Sequence, residues 1–206
     1  MATFTADKFV IPDGAVVGTT QKMQSSEYGE DDLRRASKDL GWANYVDTEW
    51  TDPDDAGGTQ NPLQLNSGNS YTAILSNNAL GSGTNISQWP SGQTEPWDTA
   101  TDKMVAVTDG DLYTLRVDFE ARDGATAALL DFYIDIGGAV GEIVRRSISI
   151  QKGASVSTHV SLTTTIFTGS TFVANGGTFY VSTASTGSNL DIWDVRFLIE
   201  RSYKAR

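Results

Sequence analysis

Four carboxylates supply the first candidate chemistry in this chain. Asp118 and Glu120 lie two residues apart in one extended segment, and Asp131 and Asp135 lie four apart in the next, so each pair projects from one side of its strand. If the two strands were neighbours, an acid and a base or nucleophile could stand the roughly 5–10 Å apart that glycoside hydrolysis requires. Arg116 and Arg122 lie on the same stretch, and cross-strand ion pairs on a solvated face account for the same residues with less. His159 is the single His, the chain has no Cys, and Ser, Thr and Val surround it, so it reads as an ordinary strand residue rather than a base or ligand. Asp52-x-Asp54-x-x-Gly57 resembles the opening of a calcium loop. The pattern breaks at Ala56, where a third oxygen ligand belongs, and at Leu63, where a bidentate Glu belongs, leaving an acidic surface loop. No Gly-x-Ser-x-Gly elbow and no Walker-type phosphate loop occurs. Asn85-Ile86-Ser87 matches a glycosylation sequon, which carries weight only in a secreted chain. The expectation is therefore a chain without catalytic residues, cofactor or metal. Trp89 and Trp97 remain as binding candidates in an irregular stretch, where they either stack on a sugar ring or anchor the stretch to its own domain; anchoring is the expectation.

The elements that must carry these residues are strands. In residues 112–120, Tyr113, Leu115, Val117 and Phe119 alternate with Thr114, Arg116, Asp118 and Glu120, the period of a half-buried strand. Asp109-Gly110 and Asp123-Gly124 punctuate its ends. Residues 128–136 repeat the pattern, with Leu130, Phe132, Ile134 and Ile136 inward. Further short strands are predicted at 63–65, 70–75, 104–107, 142–151, 155–167, 178–182 and 190–201, with Gly, Asn, Ser and Asp between them. Along 142–151, Arg146 interrupts the apolar face, and along 155–167 a bulge is predicted between Leu162 and Ile166. In 41–50, Trp42, Val46 and Trp50 group on one face and Tyr45 on the other.

Ahead of these strands, residues 1–28 carry an apolar cluster of Phe4, Phe9, Val10 and Ile11, closed by Pro12-Asp13-Gly14, with a short strand at 15–17. A short helix is predicted over residues 30–40. Leu33, Ala36 and Leu40 recur at helical spacing, Glu30–Arg34 and Asp31–Arg35 stand at i,i+4, and Gly41 is a suitable stop. The loop Asp52–Gly58 marks a boundary, giving an extension at 1–58 and a strand-rich domain at 59–206.

Length and charge narrow the partners. A chain of 206 residues buries a sizeable core without disulfides. A net charge of −11 repels nucleic acid and anionic membrane surfaces, and no apolar run approaches a membrane span. The opening residues lack the basic and apolar regions of a signal peptide, so synthesis in a cytoplasm is expected.

Three segments carry a resemblance. The run from Asn69 through Tyr71, Leu75 and Leu80 resembles the opening strand and turn of a jelly-roll domain in tailed-bacteriophage virion proteins. Pro96-Trp97-Asp98 through Met104 is similar to the segment that follows in that family, and Leu190 through Trp193, Arg196 and Arg201 resembles its closing strand. The resemblance spans residues 60–206 and implies an all-β, antiparallel jelly-roll sandwich of the tumour-necrosis-factor-like kind that forms homotrimers. It implies a structural role, as capsid decoration or cement bound to a major capsid protein at the virion surface, or as a tail or fibre-tip receptor-binding module. In the first role Phe4, Phe9 and Ile11 are the docking residues; in the second, Trp89 and Trp97 meet the glycan.

Overall fold

The computed structural model describes residues 39–75, 80–124 and 127–205, together with the backbone of three short strands nearer the N-terminus. Those strands are β1 (Lys8–Val10), β2 (Val16–Gly18) and β3 (Met23–Gln24), which pair antiparallel in the order β1-β2-β3. The chain divides into two compact units, residues 1–40 and 41–206. The helix expected over 30–40 lies outside the described residues except for its last two positions.

The second unit is built from β4 (Gly41–Val46), β5 (Leu63–Leu65), β6 (Thr72–Ile74), β7 (Trp97–Asp98), β8 (Lys103–Met104), β9 (Leu112–Asp123), β10 (Ala128–Asp135), β11 (Glu142–Ile150), β12 (Thr158–Phe167), α1 (Ser170–Asn175), β13 (Thr178–Thr183) and β14 (Leu190–Tyr203). One sheet runs β11-β10-β13-β6 and the other β12-β9-β14-β4, with β5 extending the second along β14. All pairings between these strands are antiparallel. The chain changes sheet between β9 and β10, returns after β11, and changes again on entering β13 and β14. A four-stranded and a five-stranded sheet wound in this order are a jelly roll.

Burial follows the alternation. Tyr113, Leu115, Val117 and Phe119 of β9 all point inward, as do Leu130, Phe132 and Ile134 of β10 and Val195, Phe197 and Ile199 of β14. At the centre, Trp97 lies 4.7 Å from Phe197, 5.2 Å from Phe179 and 6.2 Å from Tyr45, ring centre to ring centre. The inward face of β4 is Ala43 and Tyr45, and Trp42 stands partly exposed on the other side.

Two features of the strands depart from the sequence pattern. No bulge interrupts β12; its register against β9 is continuous from Thr158 to Phe167. Val160, Leu162, Thr164 and Ile166 keep one face, and the polar Thr164 disguised the alternation. Arg146 of β11 reaches the same Thr164 hydroxyl at 3.4 Å, so the two apparent interruptions meet each other. Register shifts occur elsewhere: in β14 between Trp193 and Arg196 and between Arg201 and Tyr203, and in the β10–β11 pairing between Ile134 and Asp135. Asp194 occupies the shift after Trp193 with a φ of 54°, a left-handed conformation that Asp tolerates better than most residues.

The irregular segment after β6 covers an edge that would otherwise expose unpaired backbone groups. Asn44 and Asn85 exchange backbone hydrogen bonds of 2.9 and 2.7 Å, and Gly81 N donates to Val46 O at 2.8 Å. The approach is close enough that a Cβ on Gly41 would stand 2.4 Å from the Gln88 carbonyl oxygen.

A polar network lies at the start of β9. Asp111 is fully buried; its carboxylate accepts Ala205 N at 2.9 Å and the Tyr113 hydroxyl at 3.2 Å. Arg201 is buried beside it, 3.8 Å from Asp111 and 4.9 Å above the Trp89 ring. Burial, with the Asp111 charge second, pushes the Tyr113 phenol up to about 12. From pH 10 to 12 the folded state holds a proton that an unfolded tyrosine has released, so stability falls as pH rises through that window. Burial holds the Tyr45 phenol up as well, so alkaline denaturation followed by phenolate absorbance should show Tyr113 and Tyr45 titrating late, with the melting temperature falling alongside; Tyr113→Phe should lessen that fall.

Candidate functional site

The four carboxylates do not meet. β9 pairs with β12 and β14, and β10 with β11 and β13, so Asp118 and Glu120 face outward from one sheet while Asp131 and Asp135 face outward from the other. The supposed acid–base pair assumed that consecutive strands form a hairpin, and the crossing between sheets separates them. Each side has its own partners. Arg116 Nε lies 2.8 Å from Asp118, and Arg145 bridges Asp131 and Glu142. His159 Nδ1 lies 2.9 Å from Glu120 Oε1 on an exposed stretch of β12, at the mouth of a cleft of ≈480 Å³ that Asp194 and Arg196 also line.

In the acidic loop, Asp52 and Asp55 accept backbone N–H groups of the loop itself, and Asp54 pairs with Arg122. Among the described residues no group of three or more His, Cys, Asp or Glu is arranged to hold a metal.

Trp89 and Trp97 both lie in the core, exposed by 7% and 3%. Trp89 Nε1 donates to Thr94 O at 2.8 Å and its ring stacks on Tyr113 at 6.4 Å. Both indoles therefore pack on protein and pin the irregular segment to the sandwich. Phe4 and Ile11 fall outside the described residues, and only the backbone of Phe9 is described, in β1.

Two surfaces and a second cleft stand out instead. On the outer face of the β12-β9-β14-β4 sheet, Phe167, Leu112 and Tyr203 stand in cross-strand register. Phe167 is 64% and Tyr203 55% exposed. Further along the same face, Arg196 opposes both Asp118 and Val46, and Leu198 opposes both Arg116 and Asn44. This face mixes apolar groups with charges of both signs.

On the outer face of the β11-β10-β13-β6 sheet, Arg145, Tyr133, Tyr180 and Ile74 form another cross-strand row. Tyr133 and Tyr180 stack at 5.2 Å, and the Arg145 guanidinium sits 4.7 Å over the Tyr133 ring. Beside Tyr180 opens a cleft of ≈740 Å³. The β7–β8 hairpin brings Asp98 and Lys103 to it, the end of β10 brings Asp135, and α1 brings Asn175. Sequence reasoning missed this site because four segments far apart in the chain build it. The local signal was an Asp at the head of each turn: Asp98 accepts Ala100 N and the Thr101 hydroxyl, and Asp135 accepts Gly137 N at 2.6 Å.

Strand order and register define the class: an antiparallel jelly-roll sandwich. No family model matches the chain, and no curated protein does. Among solved structures, the chain is similar to Eiger TNF from S. frugiperda, at 12% identity and a TM-score of 0.47 over 81% of this chain and 95% of that one. It is also similar to the PRD1 vertex protein P5, at 12% identity and a TM-score of 0.39 over 78% and 72% of the two chains. A third likeness, to the MgGH51 α-L-arabinofuranosidase, has 12% identity and a TM-score of 0.36; it covers 47% of this chain and only 16% of that enzyme.

Proposed function

We propose that this protein is a structural component of a tailed-phage virion, a trimeric decoration or cement protein seated on the capsid surface. The observation that carries the reading is the outer face of the β12-β9-β14-β4 sheet, where Phe167, Leu112 and Tyr203 stand in register with two aromatic rings more than half exposed. Exposed aromatics in a row are expensive on a surface meant for water and are enriched at interfaces. The same face carries Arg116, Arg196, Asp118 and Glu120, so a second copy of the chain can meet it with opposite charge. Three copies around one axis would present three identical capsid contacts, and linked contacts gain through effective concentration. The phage resemblance of residues 60–206 supports the virion setting. Phe4, Phe9 and Ile11 would dock on the major capsid protein from a segment within residues 1–58.

Light scattering on the full chain should return three times the chain mass. Phe167→Glu combined with Tyr203→Glu should shift it to the monomer mass at micromolar concentration, with melting little changed because both rings are outside the core. A monomeric starting protein would remove the trimer from the account.

A further inference from the structure

The tyrosine-walled cleft is a built site that the trimer reading does not use. We propose that it binds a neutral saccharide, one or two sugar rings in length.

The size fits. At ≈740 Å³ the cleft lies within the range of small-ligand sites. The chemistry fits as well. Sugar hydroxyls are donors that need acceptors, and ionised carboxylates are acceptors only. Asp98 is held below the usual carboxylate range by the Thr101 hydroxyl and the Ala100 N–H, so it stays ionised. Asp135 uses Oδ1 on Gly137 N and Asn175 uses Nδ2 on Ile136 O, which leaves Asp135 Oδ2 and Asn175 Oδ1 without a hydrogen bond among the described residues. Tyr180 supplies a ring against which the C–H face of a pyranose can pack, the amphipathic role aromatics play at binding surfaces.

The walls are also fixed before any ligand arrives. Lys103 Nζ donates to Asn175 O at 3.2 Å, and Met104 and Gly177 exchange backbone hydrogen bonds of 2.9 and 2.8 Å. The β7–β8 hairpin and the α1–β13 turn therefore form one frame. Tyr180 stacks on Tyr133, whose ring Arg145 covers in turn. A preformed frame lowers the ordering cost of binding.

Charge selects the ligand class. Two carboxylates face one ammonium here, within a chain of net charge −11, so sulfated or uronic-acid sugars are repelled while neutral ones are not.

A printed panel of neutral oligosaccharides, with sulfated counterparts, probes the full chain directly. At least one neutral glycan should be retained, and its affinity should fall about tenfold or more with Asp135→Asn and with Tyr180→Ala, the scale of losing one charge-assisted hydrogen bond or a stacking surface. Tyr180→Phe keeps the ring and should keep binding, which separates a lost ligand contact from a damaged fold. Retention of no neutral glycan, retention of sulfated glycans alone, or equal binding by Asp135→Asn and Tyr180→Ala would each overturn the proposal. The mass measurement above is independent of all these outcomes.

Discussion

Trp97→Ala should cost about 3–5 kcal/mol of unfolding free energy, the range for removing a buried Trp that its surroundings cannot refill. The indole sits between Tyr45, Phe179 and Phe197, which belong to three strands of both sheets, so no single side chain can move in to close the void. A domain of this kind has a net stability of roughly 5–15 kcal/mol, so one substitution takes a large share. Trp97→Phe should recover most of the loss. The Trp97 N–H is buried without a hydrogen-bond partner, and a ring without that donor leaves no polar group stranded. Urea denaturation of the three proteins measures both steps; a loss under about 1 kcal/mol for the Ala variant would mean that Trp97 is not the keystone of this core. The effect should reach the saccharide cleft, since Asp98 follows Trp97 in β7.

Asp111→Ala should be of similar size, about 3–5 kcal/mol, for an electrostatic reason. The substitution strips the buried Arg201 guanidinium of a carboxylate at 3.8 Å and removes the acceptor of the Tyr113 hydroxyl and the Ala205 N–H. The network need not be a net gain over an apolar one. Asp111→Leu combined with Arg201→Met should therefore be more stable than Asp111→Ala alone, because it buries no charge at all. Melting temperatures of the single and double variants decide this, and a double variant less stable than the single one would contradict it.

The strands were the legible part of this sequence, and for a physical reason. Where one face meets the core and the other meets water, as along Tyr113–Glu120 and Leu130–Asp135, the side chains record the fold with a period of two. Legibility failed where that contrast disappears. Trp42 and Val46 are bulkier apolar groups than Ala43, yet Ala43 and Tyr45 are the β4 residues buried, while Trp50, beyond β4, packs against the core. Thr164 hid a continuous register in β12. Pairing was less legible still: Asp118 and Asp131 are close in sequence, and the passage from β9 to β10 puts them on opposite sides of the sandwich. The short helix Ser170–Asn175 has no sequence signal, with neither an acidic first turn nor a side-chain cap. The cleft could not be read because Asp98, Asp135, Asn175 and Tyr180 meet only once the topology is in place. Trp89 and Trp97 drew attention as loop aromatics, and they serve as the anchors that make the loop ordered.

The claim on which the account turns is that this chain sits on the capsid as a trimer. Cryo-electron microscopy of the virions proposed to carry it tests this most directly. The account predicts threefold density on the capsid surface, with the β12-β9-β14-β4 faces turned toward the trimer axis and the first unit, residues 1–40, reaching the major capsid protein. Density at the tail, or virions without the protein, would contradict it.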